Sequence, residues 1–409
     1  MENEVFVGLD IGTTKVACII AEPDENNLLR IIGVGVSPSD GLRKGTVVNI
    51  DRTVNSIKKA VEEAELMAGV DVNSVWVGIA GDHIRGKNGN GPVAIARENP
   101  EITQEDIDRA IGMAKATQFP PDCELLHVIP QGYSVDDQKK TDNPLGMRGV
   151  KLEAEVHIIT GQSTVIQDIK TCVEKAGLRL IKLVFEPLAS SNAVLNKDEK
   201  ELGVALIDIG GGTTDIAVYT EEHIRYIAAV GVGGKNVTND IAIGLRTPLE
   251  KAEEVKRKYG NAYQPLLRGE NERFMVPAVG GNEDREVGRE VLVGIIEPRV
   301  EEILTLALRE IKKSGYQQML GAGVVLTGGG ALMEGAREKA EEVFQMPVKI
   351  GIPGRFSGLT EAVKSPIHAT GIGLCMFAAE SRREVSEPRP GVKGDSLLGK
   401  IVTWIKKYL

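Results

Sequence analysis

Residues 204–219 read Val-Ala-Leu-Ile-Asp-Ile-Gly-Gly-Gly-Thr-Thr-Asp-Ile-Ala-Val-Tyr. Asp208 and Asp215 flank Gly210, Gly211, Gly212, Thr213 and Thr214 between two apolar runs of strand length, which predicts a tight β-hairpin. Successive backbone amides at such a turn, with two hydroxyls beside them, make a concave site for phosphate oxygens. A carboxylate at each edge would repel bare phosphate, so the pair implies a divalent cation. Mg2+, hard and oxygen-seeking, fits. A Gly-rich hairpin without a ligand would use the same residue types. Residues 5–19 repeat the layout, with Asp10, Gly12, Thr13, Thr14 and Lys15 between two strand-like runs. Lys15 stands in place of the second aspartate and offers a point charge to a phosphate oxygen. The repeat predicts two related halves, their hairpins facing across a cleft and clamping a polyphosphate, with the metal near Asp10 and Asp208. A third turn, Gly328-Gly329-Gly330 after Val324–Thr327, is bare enough for a ribose or flat ring to approach its backbone. No Walker loop occurs, and no Rossmann fingerprint opens a βαβ unit.

The elements that must hold these turns alternate between β and α. A third strand is predicted over 28–37 and a turn into extended chain over 41–48. A helix capped by Asp51 follows, with Val54, Ile57, Val61, Ala64 and Met67/Ala68 inward and Gly69 as its stop. Residues 75–80 form a buried strand. Residues 82–160 break the alternation: a Gly-Asn-rich hairpin tip at 86–91, a helix from the Thr103–Asp106 capping signature to about 116, and strands at 125–129 and 152–159 around a loop at 136–149. This is an inserted α/β subdomain. A helix over 163–176 and a strand over 178–185 follow, then a helix opened by Glu186-Pro187. Glu186 at that start is either a carboxylate aimed into the cleft or an ordinary dipole-favoured residue worth under about 1 kcal/mol. Gly233 and Gly234 lead to a charged helix over 248–259 in which Glu253 and Lys256 share one face, as a ligand-contacting pair or a solvated one. A long helix over 287–313 carries Val291, Ile295, Val300, Ile303 and Leu306 as its apolar stripe. An apolar helix from Thr370 pairs with the one at 188.

At 409 residues, 42% apolar, the chain predicts two or more domains. Net charge −9 argues against nucleic-acid binding. The four scattered cysteines, without C-x-x-C spacing, suggest reduced thiols in a cytosolic protein. The acidic opening does not read as a signal peptide, and nothing reaches the apolar length of a bilayer span.

Residues 381–395, rich in Pro, Gly and charge, read as a flexible linker. In 396–409, Leu397, Leu398, Ile401, Val402, Trp404, Ile405, Tyr408 and Leu409 fill one helical arc of roughly 160°. Lys400, Lys406 and Lys407 lie opposite. Such a helix is about 21 Å long, too short to cross a bilayer, and suits the interface with lysines toward anionic headgroups.

The three glycine turns resemble those of the actin-like ATPase superfamily. The inserted subdomain and amphipathic tail, with Gly41–Val48, Val75–Ile84, Asn143–Gly149 and Phe185–Asn192, narrow the resemblance to the FtsA family. It implies duplicated actin-like (ribonuclease H-like) α/β domains around a nucleotide cleft, with the insert in the first half and a C-terminal amphipathic helix. The implied division is 1–81 with 161–196, the insert 82–160, then 197–242 with 301–380, a small subdomain 243–300, the linker and the tail. ATP and Mg2+ are the implied ligands: Gly12 to Lys15 and Gly211 to Thr214 on phosphates, Glu186 near the γ-phosphate, and Gly233, Gly234, Glu253, Lys256 and Gly328 to Gly330 bordering adenosine. It further implies slow or no hydrolysis, self-association into filaments on the cytoplasmic membrane face, and an FtsZ-tail contact on 243–300, for which charge suggests Arg289 and Arg299. Other division proteins would meet the insert. A pilus-assembly relative and a small-molecule kinase of the same fold are the alternatives; neither accounts for the tail.

Overall fold

The computed structural model describes residues 5–25, 28–116, 120–138, 140–267, 272–279 and 284–386. The linker and tail read above fall almost wholly outside the described residues. The chain opens with the hairpin β1 (Phe6–Ile11) and β2 (Lys15–Pro23), then β3 (Leu29–Pro38), a small hairpin of β4 (Leu42–Arg43) and β5 (Thr46–Val47), helix α1 (Ile50–Ala68) and β6 (Ser74–Ile79). Asn49, not Asp51, caps α1: its side chain accepts from the Arg52 N–H, while Asp51 lies inside the first turn. Met67, expected inward, is exposed. Gly69 ends the helix at φ 69°. α1 lies directly on β3, where a β-carbon at Gly35 would sit 1.9 Å from the Ala60 carbonyl.

The insert is β7 (Arg85–Ala94), α2 (Gln104–Lys115), β8 (Cys123–Val135) and β9 (Lys151–Gln162), an antiparallel sheet in the order β7-β9-β8. The expected hairpin tip at 86–91 is instead strand. Its glycines serve packing: a β-carbon at Gly91 would fall 1.9 Å from the Ala110 carbonyl of α2. The Thr103–Asp106 capping box forms as predicted.

Helix α3 (Ser163–Lys175) and β10 (Arg179–Phe185) complete the first body, and α4 (Glu186–Val194), with Pro187 in its first turn, leads through α5 (Lys197–Leu202) to the second. There β11 (Val204–Ile209) and β12 (Thr214–Thr220) repeat the opening hairpin, followed by β13 (His223–Val230), α6 (Gly234–Gly244), α7 (Leu249–Tyr259), the pair β14 (Arg273–Val276) and β15 (Arg285–Gly288), and the long α8 (Arg289–Ser314). β16 (Val324–Thr327), α9 (Ala336–Phe344) and β17 (Val348–Ile350) finish a sheet ordered β13-β12-β11-β16-β17. The buried face of α8 includes Leu292, Ile296, Val300, Ile303, Ala307 and Ile311; of the expected stripe Val300 and Ile303 are buried, Ile295 is half-buried against the same core, Leu306 is half-buried and Val291 is exposed. The 3–4 spacing fits either register, and only packing against α6 and β12 selects one.

β18 (Phe356–Gly358) returns to the first sheet, ordered β10-β6-β1-β2-β3-β18, and after the short α10 (Thr360–Val363) helix α11 (Ala369–Ser386) lies against β1 and crosses α4. The crossing is backbone-close, since a β-carbon at Gly373 would lie 1.9 Å from the Ala189 carbonyl. Gly373→Ala should therefore lower unfolding free energy by about 1–3 kcal/mol in chemical denaturation. Gly112→Ala, mid-helix in α2 with nothing within 4 Å, should gain about 0.5–1 kcal/mol. Equal effects would contradict this packing.

Candidate functional site

The two hairpins close with the same backbone bond, Gly12 N–H to Lys15 O and Gly210 N–H to Thr213 O, each 2.9 Å. Their registers pair Asp10 with Ala17 and Asp208 with Asp215. The position equivalent to Asp215 is therefore Ala17; Lys15 corresponds to Thr213 and does not replace an aspartate, and Thr13 and Thr14 correspond to Gly211 and Gly212. That offset lets the tips interlock. A β-carbon at Gly211 would strike Thr14 at 2.3 Å, and one at Gly212 would strike Thr13 at 2.7 Å. Lys235 Nζ donates to the Thr13 carbonyl at 2.7 Å, tying α6 across to the first hairpin.

Above the tips opens a cleft of about 840 Å³ lined by Asp10, Gly12, Thr13, Thr14, Lys15, Glu186, Asp208, Gly210 to Thr213, Asp215, Gly234, Glu253, Lys256 and Gly328 to Gly330. Two expected residues do not line it. The Thr214 hydroxyl donates to the Val232 carbonyl at 2.9 Å, and Gly233 packs on the Gly210 carbonyl as the cap of α6.

Carboxylates converge on the cleft floor. Asp10 pairs with Lys15 Nζ at 2.9 Å. Asp208 accepts from Ser190 Oγ at 2.9 Å and from Thr370. Burial raises Asp208 to about 6, with Asp10 adding to the rise. Asp215 accepts from Thr213 Oγ1 at 3.0 Å, yet its Oδ1 is buried with no partner. Burial, then Asp208, raises it to about 7. Glu186 is held well above the usual carboxylate range by burial and by Asp10, Asp215 and Asp208. An all-oxygen donor set with an orphaned carboxylate oxygen fits a hard divalent cation. Among the described residues no three His, Cys, Asp or Glu side chains form a ready metal cage, so phosphate oxygens and water would have to complete the shell.

On the opposite wall Glu253 meets Lys256 at 2.6 Å and also accepts from Thr238 and Arg257. Burial works against its charge, but Lys256 and these donors hold it down at about 2. Gly328 and Gly330 are bare because side chains there would collide with Asp208 and Ile209, whereas Gly329 has open space beside it. Ser37, Gly45, His368 and Thr370 also line the cleft; Gly45 lies in the stretch 41–48 read above as a turn into extended chain, and the other three carried no motif signal. Burial and Lys15 push His368 down to about 4. Arg289 pairs with Glu272 and Glu334, and Arg299 with Asp240 and Glu302.

Two hairpin-led α/β bodies with interlocked glycine turns under one cleft define the actin-like fold. Solved structures agree: the PilM–PilN type IV pilus biogenesis complex (TM-score 0.62, 16% identity, 91% of this chain and 98% of that one) and ADP-bound MreB5 of Spiroplasma citri (TM-score 0.57, 14% identity, 95% and 100%). The family profiles Cell division protein FtsA and SHS2 domain inserted in FTSA match residues 205–373 and 81–160. Cell division protein FtsA of Pseudomonas aeruginosa is 47% identical over 93% of this chain and 91% of its own length. That of Escherichia coli K12 is 39% identical over 99% and 98%. The chain belongs to the FtsA family of cell-division proteins.

The raised acids carry a stability consequence. Folded Asp208 and Asp215 keep protons that the unfolded chain releases, so metal-free stability should fall as pH rises from about 4 to about 7, then level off. Asp215→Asn should raise the metal-free denaturation midpoint at pH 8 and flatten this slope. A lowered midpoint would contradict the charge account.

Proposed function

We propose that the chain binds ATP with Mg2+ in this cleft, and that the bound nucleotide switches self-assembly into actin-like filaments on the cytoplasmic face of the cell membrane. The single observation that carries the nucleotide reading is the interlock of the two hairpins beneath converging Asp10, Asp208 and Asp215. Backbone amides of Gly211 to Thr213, with the Thr13 and Thr14 hydroxyls, would hold phosphate oxygens, and Lys15 would add a point charge; the Gly12 amide is spent on closing its own hairpin. Asp10 and Asp208 would hold the metal through water. When bound, Mg2+ neutralises the charge crowded between carboxylates and phosphates. Glu253 and Lys256 would border the ribose and Gly329 the base. Glu186, buried beside Asp10, Asp215 and Asp208, would orient water at the γ-phosphate.

Family membership supports a division role, here read as anchoring the FtsZ ring: the 396–409 helix on anionic lipid, residues 243–300 on the FtsZ tail, and the insert toward other division proteins. Arg289 and Arg299 are already paired within the chain, so the FtsZ contact is proposed for that region as a whole. No helix of the described residues is long and apolar enough to cross a membrane.

Flotation with anionic vesicles and MgATP tests the attachment. The intact chain should float and Trp404→Glu should remain at the bottom while still binding MgATP, because a charge in the apolar arc opposes insertion. If both float, another surface binds lipid; if neither does, the tail serves a different contact.

A further inference from the structure

We propose that His127 of the insert is a positioning residue for Glu186, through which the inserted subdomain governs the nucleotide site; the inference rests on the nucleotide reading above. β8 pairs with β9 regularly except at shifts between Leu125 and His127 and between Pro130 and Gly132. A bulge of this kind turns a side chain away from its regular face. The first shift skips Leu126, so His127, paired with Ile159, is turned to dock its side chain on the main body. Its Nε2 accepts the backbone N–H of Phe185 at 3.0 Å, a buried bond. Its ring stands edge-on to Phe377 of α11, centroids 6.1 Å apart, and Phe377 in turn meets Trp76 of β6 at 5.9 Å. One histidine thus joins the insert to β10 and α11, and through Phe377 to β6.

The anchored atom matters because of its place in the chain. β10 is the edge strand of the first sheet, paired only with β6, so an outward N–H at its end has no strand to satisfy it. Phe185 is fully buried, and its N–H would otherwise be an unsatisfied buried donor. Phe185 is also the N-cap residue of α4, whose side chain cannot cap. The next residue is Glu186, which lies in the cleft over Gly78, where an added β-carbon would be 3.0 Å from its Cγ. One turn further on, Ser190 holds Asp208. The His127 bond therefore fixes the strand-to-helix joint from which both groups hang. Burial, then Lys182, pushes His127 down to about 3, which keeps the ring neutral and the Nε2 lone pair available. The proton lies on Nδ1, as the bond to Phe185 requires. Misplacing a catalytic group by about 1 Å can cost roughly a hundredfold in rate. The bonded Phe185 amide directly precedes Glu186, so a shift of the insert would be passed to that carboxyl.

The test uses the intact chain as wild type, His127→Phe (a ring without an acceptor), His127→Asn (polar but too short) and His127→Gln (an acceptor of similar reach). Hydrogen exchange over 183–188 is measured without nucleotide, with ADP and with ATPγS, alongside MgATP affinity. His127→Phe and His127→Asn should exchange faster over 183–188 and lose the ATPγS-minus-ADP difference there. Their MgATP affinity should stay within about threefold of wild type, because the phosphate hairpins are untouched. Any phosphate release should fall at least about tenfold, and His127→Gln should restore each property. The inference is overturned if Phe and Asn variants exchange as wild type, or if His127→Gln fails as fully as they do. It is also overturned if affinity and exchange protection are lost together across the whole fold. A wild type that binds no nucleotide overturns the nucleotide reading instead, and the nucleotide-free exchange still judges the His127 bond.

Discussion

The structure depends on a steric fit between two turns. Thr13 and Thr14 occupy the space that side chains at residues 212 and 211 would need, so the two bodies can approach only because one turn is bare where the other is full. The match is reciprocal, because both turns have the same length and closing bond and differ in where they place threonine. Everything else holds that contact in place. The α4–α11 crossing is set by Gly373 on Ala189, and Lys235 bonds across to Thr13. Ser190 and Thr370, 3.0 Å apart, join α4 to α11 while both reach Asp208.

That contact gathers like charges. Asp10, Asp208, Asp215 and Glu186 converge on a floor that burial makes costly for carboxylates, with the Lys15 charge already committed to Asp10. The partnerless Asp215 oxygen and the raised acids make this floor costly for the fold and suited to the cation proposed above. Structural stability and the proposed ligand binding are thus opposed at the same residues. The single histidine reaching in from the insert adds a second input to the same joint.

Local signals were legible in the sequence: both hairpins, the capping box at Thr103, and Pro187 opening α4. The cleft residues among these motifs come together because each is carried by the end of a strand or the start of a helix. Long-range features were not legible. The Thr-Thr pairs suggested a register in which Lys15 matched Asp215, but backbone closure matches turns by length, which puts Ala17 there. Glycines at 86–91 resembled a loop because their reason, the close passage of α2 over Gly91, lies elsewhere in the chain. The face of α8 could be drawn in two registers until α6 and β12 chose one. His368 and Thr370 enter the cleft because α11 returns to the first body, and His127 reaches Phe185 through a bulge; no local pattern announces either. The tail reading, from Leu397 to Tyr408, concerns residues outside those described.

Calorimetric titration of ATP into the intact chain, with Mg2+ and with EDTA, for wild type and Gly211→Ala, tests the central claim most directly. The interlock account predicts one-to-one binding that needs the cation. It also predicts a loss of at least about tenfold, or about 1.4 kcal/mol, in Gly211→Ala, where the new methyl displaces Thr14 from the phosphate turn. Binding that ignores Mg2+, or a Gly211→Ala chain that binds ATP as tightly as wild type, would contradict it.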